Sequence, residues 1–252
     1  MADKTVLVLS PMDGERDLLV SRLADRREEN DGGYVFSAGT FARLRVVAAR
    51  CLVGTVNAAA CTALATRRYR PACVILQGTA GAHDPDLKKG DLVIAEKIIS
   101  LGNVKTPYRT AGEGSDPESW EPFGVQVYDR REGKTAFTNT FVCDPALTAL
   151  ARTVPYAGGR IFSGTAGSAD RWNREADLIL HYHSTLGTLC EEMEGAGAAQ
   201  VCQAFGVPFC EIRVISNNEL TENRHYEIST AKSCQEFTLD FLKALSESGL
   251  LI

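Results

Sequence analysis

The 252-residue sequence lacks the patterns that mark several large classes of protein. Its eight cysteines form no Cys-x-x-Cys pair and its four histidines do not cluster, so we expect no metal. No run of Lys and Arg is interleaved with aromatic residues, which argues against a nucleic-acid partner. No apolar stretch is long enough for a membrane span, and no basic segment followed by an apolar core marks a signal peptide.

The remaining composition is that of a globular protein that binds a small molecule and needs no cofactor. Apolar residues make up 44% of the chain, enough for a substantial core, and the formal net charge is −5. The cysteines stand singly inside apolar runs, as expected of buried thiols in a reducing compartment, so we expect a cytoplasmic protein. No repeat, linker or low-complexity tract divides the sequence, which predicts one domain over residues 1–252.

Alternating strand and helix patterns predict an α/β fold. Residues 5–9 and 72–76 are short, continuous apolar runs, typical of strands buried on both faces. Residues 58–66 are rich in small side chains and predict a helix that packs closely on a sheet. Residues 233–248 carry Phe and Leu at helical spacing, which predicts an amphipathic helix closing the sheet.

Two further segments are expected from the same patterns. Leu18, Leu19 and Leu23 predict a helix after the first strand, and two antiparallel strands are expected after it, within residues 34–50. Residues 102–122 are polar and rich in Gly and Pro, so we expect a long loop there, of the kind that is usually functional or disordered.

An acidic motif is the most informative stretch. Residues 191–194 read Glu-Glu-Met-Glu and directly precede a helix of small residues, and a second apolar strand over 207–215 ends in a polar tip. We expect Glu194 to project into a pocket at the carboxyl end of a sheet, where α/β proteins place their ligands. A solvated surface patch is the alternative.

This motif carries a resemblance to a known family. Glu-Met-Glu before a small-residue helix, followed by Val-Pro-Phe-x-x-x-Arg-x-Ile-Ser, resembles the nucleoside phosphorylase/nucleosidase family, and most closely the methylthioadenosine/S-adenosylhomocysteine nucleosidases. The resemblance implies a three-layer α/β/α sandwich with a mixed central sheet, and a homodimer. It also implies hydrolysis of the N-glycosidic bond of a purine nucleoside, with release of adenine.

The resemblance implies roles at two turns. Met12 and Glu15 match a turn where the family has a Met and several acids, and Glu15 matches the carboxylate that activates the attacking water. A first-turn acid stabilised by the helix dipole is the alternative for Glu15. Thr79, Ala80 and Gly81 match the loop that lines the water and the sugar.

The resemblance also assigns residues around the base and the ribose. Trp172 matches the aromatic residue that stacks on the purine, with ordinary core packing as the alternative, and Asn173 would present its backbone to the base edge. Glu194 would accept hydrogen bonds from the ribose hydroxyls. The remaining substrate-binding candidates are Glu192, Met193 and Ser216, with Met193 against the sugar face.

Asn217 departs from the family pattern, which has an Asp that protonates N7 of the leaving adenine. An amide cannot supply a proton. Either water or a neighbour (Asn218 or Glu219) assists an adenine, or the base is a 6-oxopurine, as in inosine- or guanosine-type phosphorylases and futalosine hydrolase. We place adenine nucleosides first and keep a 6-oxopurine nucleoside as the alternative.

The nucleophile is the second open choice. Phosphate-dependent relatives tend to carry an Arg near the loop that here begins at Gln77, and no basic residue stands between Leu76 and His83, which favours water. Arg16 leaves a phosphate-dependent phosphorylase open, because it lies near where some phosphorylases bind phosphate. A nucleoside-binding module without turnover is a further alternative, disfavoured by the presence of both Glu15 and Glu194.

Overall fold

The computed structural model describes residues 4–222 and 224–251. The strands are β1 (Thr5–Ser10), β2 (Ala24–Asp31), β3 (Tyr34–Phe41), β4 (Leu44–Arg50), β5 (Cys73–Ala82), β6 (Leu92–Ser100), β7 (Val104–Lys105), β8 (Glu121–Pro122), β9 (Val125–Asp129), β10 (Lys134–Thr138), β11 (Thr140–Val142), β12 (Ile161–Ser168), β13 (Thr188–Glu192) and β14 (Phe209–Asn218). The α-helices are α1 (Asp17–Ser21), α2 (Thr55–Tyr69), α3 (Pro145–Ala151), α4 (Ala176–Leu186), α5 (Gly195–Phe205) and α6 (Ala231–Ser248). Short 3₁₀ segments span Asp13–Glu15, Pro117–Ser119 and Ile228–Thr230.

Ten of the strands form one mixed sheet, as predicted. Its order is β11-β6-β12-β13-β5-β1-β4-β3-β2, and β14 pairs with both β5 and β6. The pairs β6–β12, β12–β13, β13–β5, β5–β14 and β14–β6 therefore close a five-stranded ring. In this ring the last residues of β5, β13 and β14 meet at one place.

Helices cover both faces of the sheet, so the predicted three-layer sandwich is confirmed. On one face, α2 and α5 bury small side chains such as Ala58 and Cys202 against the sheet. On the other face, α1, α3 and α6 contribute Leu19, Leu147 and Phe241 to a second core. A smaller core packs Tyr182 of α4 beneath the end of β12.

The close packing predicted for the small-residue helices has a direct cause. Helix α2 crosses α5 at Gly197, where a Cβ atom would collide with the Thr55 carbonyl oxygen. Only glycine allows this approach. The contact holds the N-terminus of α5, and with it the acidic motif, against the sheet.

One predicted helix has the wrong end, and two elements of the fold were not predicted. The predicted helix through Leu23 ends at Ser21, and the following residues 24–31 form the edge strand β2, which the sequence reading missed. Its side chains are almost all charged or polar and exposed, because an edge strand paired on one side needs no apolar face. The hairpin of β9 and β10, which lies outside the main sheet, was also not predicted.

Other features agree with the sequence. Asp144 caps α3 by accepting hydrogen bonds from the backbone N–H groups of Ala146 and Leu147, at 3.0 and 3.1 Å. Residues 102–122 are irregular apart from the two-residue strands β7 and β8 and one 3₁₀ turn. All eight cysteines are buried and unpaired. Across the described ranges, none of the helices has the length and apolar character needed to cross a bilayer.

Candidate active site

A cavity opens where β5, β13 and β14 end, next to the turn after β1 and the loop after β12. Every site residue predicted from the sequence lines it. These residues are Met12, Glu15, Thr79, Ala80, Gly81, Trp172, Asn173, Glu192, Met193, Glu194, Ser216 and Asn217.

Glu15 lies on the floor of the cavity and is almost completely buried. Its Oε1 accepts hydrogen bonds from the backbone N–H of Thr79 at 2.7 Å and from the Thr79 hydroxyl at 2.8 Å. Its Oε2 accepts from the backbone N–H of Met12 at 3.2 Å. Gln77 fixes the Glu15 backbone by donating to its carbonyl oxygen at 2.8 Å. The carboxylate is therefore held in one orientation by β5.

Glu194 is the second buried acid of the cavity. Its Oε1 accepts from the backbone N–H of Gly54 at 3.0 Å, and its Oε2 lies 3.3 Å from Nη2 of Arg213. Gly54 adopts a φ of 105°, a conformation that favours glycine and that aims its N–H at this carboxylate. Glu15 and Glu194, which are remote in sequence, thus face one cavity.

Behind the cavity lies a set of charges that we call the Arg213 cluster: Arg213, Glu192, Glu194 and Glu211. Arg213 Nε donates to Glu211 at 2.8 Å, and its Nη2 donates to Glu192. Glu192 also accepts from the backbone N–H groups of Glu194 and Gly195, both at 2.7 Å. These bonds fix the first turn of α5. The Glu194 side chain is then held by Gly54 on one oxygen and by Arg213 on the other.

Burial has the largest effect on the pKa of Glu194, Glu211 and Glu15. It raises the pKa of Glu194 to about 8 and that of Glu211 to about 8, against the lowering effect of Arg213. Burial also raises the pKa of Glu15, partly offset by the hydrogen bonds from Thr79 and by the charge of Arg213. Glu15 is therefore a stronger base than an exposed glutamate.

Gly78 allows the Glu15 carboxyl group and the Arg213 guanidinium to lie close together. A Cβ atom at this position would lie 2.8 Å from Nη1 of Arg213 and 3.0 Å from Oε1 of Glu15. A side chain at this position would displace Glu15 or Arg213.

Trp172 forms the exposed side of the cavity rather than part of a core. Its side chain is 60% exposed and its ring meets that of Tyr226 edge to face, with centroids 5.4 Å apart. The Tyr226 hydroxyl lies 3.4 Å from the Thr79 hydroxyl, on the far side of the opening. The two aromatic residues partly cover the cavity, and the core-packing alternative for Trp172 is wrong.

The amide of Asn217 is oriented by its neighbours. Its Nδ2 donates to Glu219 at 3.4 Å, and its Oδ1 accepts from the Ser216 hydroxyl at 2.9 Å. Glu219 can only accept, so Nδ2 is the side of the amide that lies toward Glu219. Asn173 also has a donor to spare, because its Nδ2 has no hydrogen-bond partner.

Sequence reasoning missed several residues of the site. Arg213 and Glu211 were given no role, and Arg171, His83 and Tyr226 were not considered as part of the pocket. The signal for the first two was available, since two charges two residues apart inside a fully buried strand must pair with something. The other three lie on loops or strand ends, where no sequence pattern marks them.

Arg16 does not reach the cavity. Its Nη2 lies near the carboxylates of Asp13, Asp17 and Glu28, at 3.7, 3.3 and 3.7 Å. Among the residues that the structure describes, no three His, Cys, Asp or Glu side chains are grouped to hold a metal.

The chain belongs to the phosphorylase superfamily, whose sequence profile matches residues 5–247. It is 30% identical, over 83% of its own length and 82% of the relative's, to the 5'-methylthioadenosine/S-adenosylhomocysteine nucleosidase of Geobacillus thermodenitrificans.

Solved structures share the fold. The S-adenosylhomocysteine nucleosidase of Streptococcus pyogenes, in complex with 5-methylthiotubericidin, superposes with a TM-score of 0.77 at 22% identity, covering 97% of this chain and 98% of the other. A futalosine hydrolase mutant of Helicobacter pylori superposes with a TM-score of 0.75 at 24% identity, covering 97% and 99%. The predicted family is therefore confirmed.

Proposed function

We propose that this protein hydrolyses the N-glycosidic bond of a purine nucleoside, with water as the nucleophile. The observation that carries the proposal is the pairing of Glu15 and Glu194 across one cavity, each buried and each oriented by backbone N–H groups. Such a pair suits a reaction in which the sugar develops positive charge while a nucleophile attacks it.

Glu15 is the general base of this proposal. Thr79 donates two hydrogen bonds to Oε1, which leaves Oε2, held only by the Met12 N–H, with capacity to orient a water molecule and take its proton. The raised pKa of Glu15 strengthens it for that task.

Glu194 and Met193 hold the ribose. In its ionised form Glu194 accepts hydrogen bonds from the sugar hydroxyls and stabilises the positive charge that grows on the sugar ring as the bond to the base breaks. Because its pKa is raised to about 8, this role strengthens as the pH rises toward that value. Met193 lies beside Glu194 on the cavity wall and packs against the sugar face.

The charge of the site supports water over phosphate. Arg213 lies beside Glu194, and three carboxylates already contact it. Arg16, the other candidate for holding phosphate, lies among Asp13, Asp17 and Glu28. A phosphate dianion beside Glu15 and Glu194 would lie close to these carboxylates, which opposes its binding.

Two classes of base are candidates. The names of the relatives favour 5'-methylthioadenosine and S-adenosylhomocysteine, with adenine as the leaving base. The amide of Asn217 favours a 6-oxopurine, because its Nδ2 can donate to N7 and O6 but cannot protonate N7. The futalosine hydrolase among the structural neighbours is consistent with this second class.

The test is the release of free base from methylthioadenosine, S-adenosylhomocysteine, adenosine, inosine and futalosine, each with and without phosphate. We expect release without phosphate, and a loss of about 100-fold or more in Glu15→Gln. A strict requirement for phosphate would replace the hydrolase by a phosphorylase. Tight binding without any release would replace it by a nucleoside-binding module.

The same proposal covers organisation and location. We propose one domain over residues 1–252, supported by the single sheet that takes strands from Thr5 to Asn218. We propose a homodimer, supported by the exposed side chains of Tyr108, Phe137 and Val142, which suit a partner surface. Eight unpaired thiols support a cytoplasmic location. Light scattering of the purified protein tests the dimer.

A further inference from the structure

A further buried carboxylate, that of Glu191, reaches the cavity and has no part in the proposed bond cleavage. Glu191 is only 8% exposed and lines the cavity. Its Oε2 lies 3.1 Å from Nε2 of His83 and 3.4 Å from Nη2 of Arg171. His83 is fixed in turn, because its Nδ1 lies 2.8 Å from the Thr188 hydroxyl. We call Glu191, His83 and Arg171 the Arg171 cluster.

The other oxygen of Glu191 has no partner. Oε1 makes no hydrogen bond to any described residue, although it is buried. Leaving a buried charged acceptor unpaired costs free energy, and native proteins rarely do so without a reason. A ligand that donates a hydrogen bond to Oε1 would remove this cost.

The position of Glu191 relates it to the base end of the cavity. On β13, Glu191 and Glu192 point to opposite faces, so Glu192 joins the Arg213 cluster while Glu191 does not. Glu191 pairs in register with Gly81 of β5, and Gly81 pairs on its other side with Asn217 of β14. Glu191 and Asn217 therefore flank the same residue and both face the cavity.

These two residues offer a donor and an acceptor in an order that distinguishes purines. A 6-oxopurine presents N7 and O6 as acceptors and N1–H as a donor, whereas adenine presents N7 as an acceptor, its amino group as a donor and N1 as an acceptor. The Nδ2 hydrogen of Asn217 that is not directed at Glu219 can donate to N7 or O6, and Glu191 Oε1 can accept from N1–H. With adenine, Asn217 Nδ2 would meet the 6-amino group, which is another donor, and Glu191 Oε1 would meet N1, which is another acceptor.

We propose that Glu191 determines base specificity by accepting a hydrogen bond from N1–H of a 6-oxopurine, and that Arg171 and His83 hold it ready to do so. The inference rests on the proposed function for the presence of a purine in this cavity. It selects the second of the two base classes named there. Guanine, whose 2-amino group lies beside N1–H, would meet the same carboxylate.

Binding of the free bases tests this without depending on turnover. Calorimetric titration with hypoxanthine and with adenine should show hypoxanthine bound at least about tenfold more tightly by the native protein, since the mismatched base leaves buried polar groups unpaired. In Glu191→Gln the ratio should fall to about one, because an amide pairs with either base. Glu191→Asp, which withdraws the carboxylate by one methylene, should reduce the ratio in the same direction.

The controls separate specificity from folding. Glu247→Gln, at an exposed position on α6, should leave both affinities unchanged. If Glu191 served only to pair with Arg171, its variants would weaken both bases by the same factor, and that result would overturn the proposal. Equal or tighter binding of adenine by the native protein, or no binding of either base at millimolar concentration, would overturn it as well.

The proposed function is judged separately, by base release. Preference for hypoxanthine without any hydrolysis would refute the hydrolase and leave the specificity of Glu191 standing. Hydrolysis with no preference for hypoxanthine would support the hydrolase and refute the role of Glu191 in base specificity.

Discussion

Two carboxylate clusters meet the cavity from opposite faces of β13, and they differ in their balance of charge. The Arg213 cluster has three carboxylates around one cation, all buried. The Arg171 cluster has one carboxylate beside Arg171 and His83, and the Arg171 side chain is 30% exposed. Adjacent residues, Glu192 and Glu191, enter these two environments only because strand residues alternate in direction.

The difference separates two tasks. In the proposed function, a group of buried acids serves the sugar, where hydroxyl groups need acceptors and positive charge develops. In the proposed specificity, a carboxylate that is paired with Arg171 and keeps one free oxygen serves recognition of a neutral ring, where the partner is a single N–H group. The first cluster is built into strands and the start of α5, and the second reaches out to the loop that carries Trp172.

Substitution of Arg213 should have the largest effect on the free energy of unfolding, and substitution of Arg171 is the matched comparison. Arg213→Met removes the cation that contacts three buried carboxyl groups, and we expect the free energy of unfolding to fall by about 3–5 kcal/mol. Arg171→Met removes a cation that is 30% exposed and contacts only one buried carboxyl group, and we expect a smaller fall of about 1–2 kcal/mol. Urea denaturation measures both. Equal losses in the two variants would contradict the contrast between the clusters.

Glu194→Gln should have the next largest effect, on catalysis rather than stability. The amide keeps the hydrogen bond from Gly54 and cannot ionise, so kcat/KM for base release measured above pH 8, where Glu194 is ionised, should fall about 100- to 1,000-fold. The melting temperature at pH 7 should change little, because burial already keeps this carboxyl group mostly protonated there. Retention of most activity would refute the ribose role.

The excess of acid should also make stability depend on pH. Burial raises the pKa of Glu194 and of Glu211 to about 8 in the folded chain, from 4.5 for an ordinary glutamate. Between pH 4.5 and 8 the folded state therefore binds more protons than the unfolded state, and stability falls as pH rises through this window. Each carboxyl contributes up to about 1.4 kcal/mol per pH unit.

Calorimetry between pH 5 and 8 measures this slope. Glu211→Gln should flatten it, since the amide does not titrate, whereas Glu247→Gln should not. A melting temperature that rises with pH across this window would show that Glu194 and Glu211 are not held protonated by burial.

The position of Glu194 at the cavity could be predicted from the sequence, whereas the partners that surround Glu194 and Glu191 could not. Glu194 follows a strand and precedes a helix of small residues, a pattern that fixes its place at the sheet edge. The Thr79 to Gly81 tip follows a continuous apolar run for the same reason. Both positions depend on local periodicity, which the sequence displays directly.

The partners of these residues depend on long-range register, which no local pattern displays. The position of Glu191 beside His83 requires β13 to pair with β5 in antiparallel fashion, although both strands lie in a mostly parallel part of the sheet. The loop that carries Arg171 and Trp172 likewise has no periodicity. Strand β2 was missed because a charged edge strand lacks the alternating apolar face on which strand prediction relies.

Asn217→Asp gives the smallest expected effect and tests whether the two sides of Gly81 act independently. A protonated Asp can donate to N7 and accept from a 6-amino group, so the ratio of kcat/KM for methylthioadenosine over methylthioinosine should rise about tenfold. These substrates differ only at position 6 and N1 of the base. Because Asn217 and Glu191 would contact different atoms of the purine, the shifts in Asn217→Asp and Glu191→Gln should multiply in the double variant. A double variant no more selective than either single one would mean that the two residues report on one shared contact, and the separate role of the Arg171 cluster would be lost.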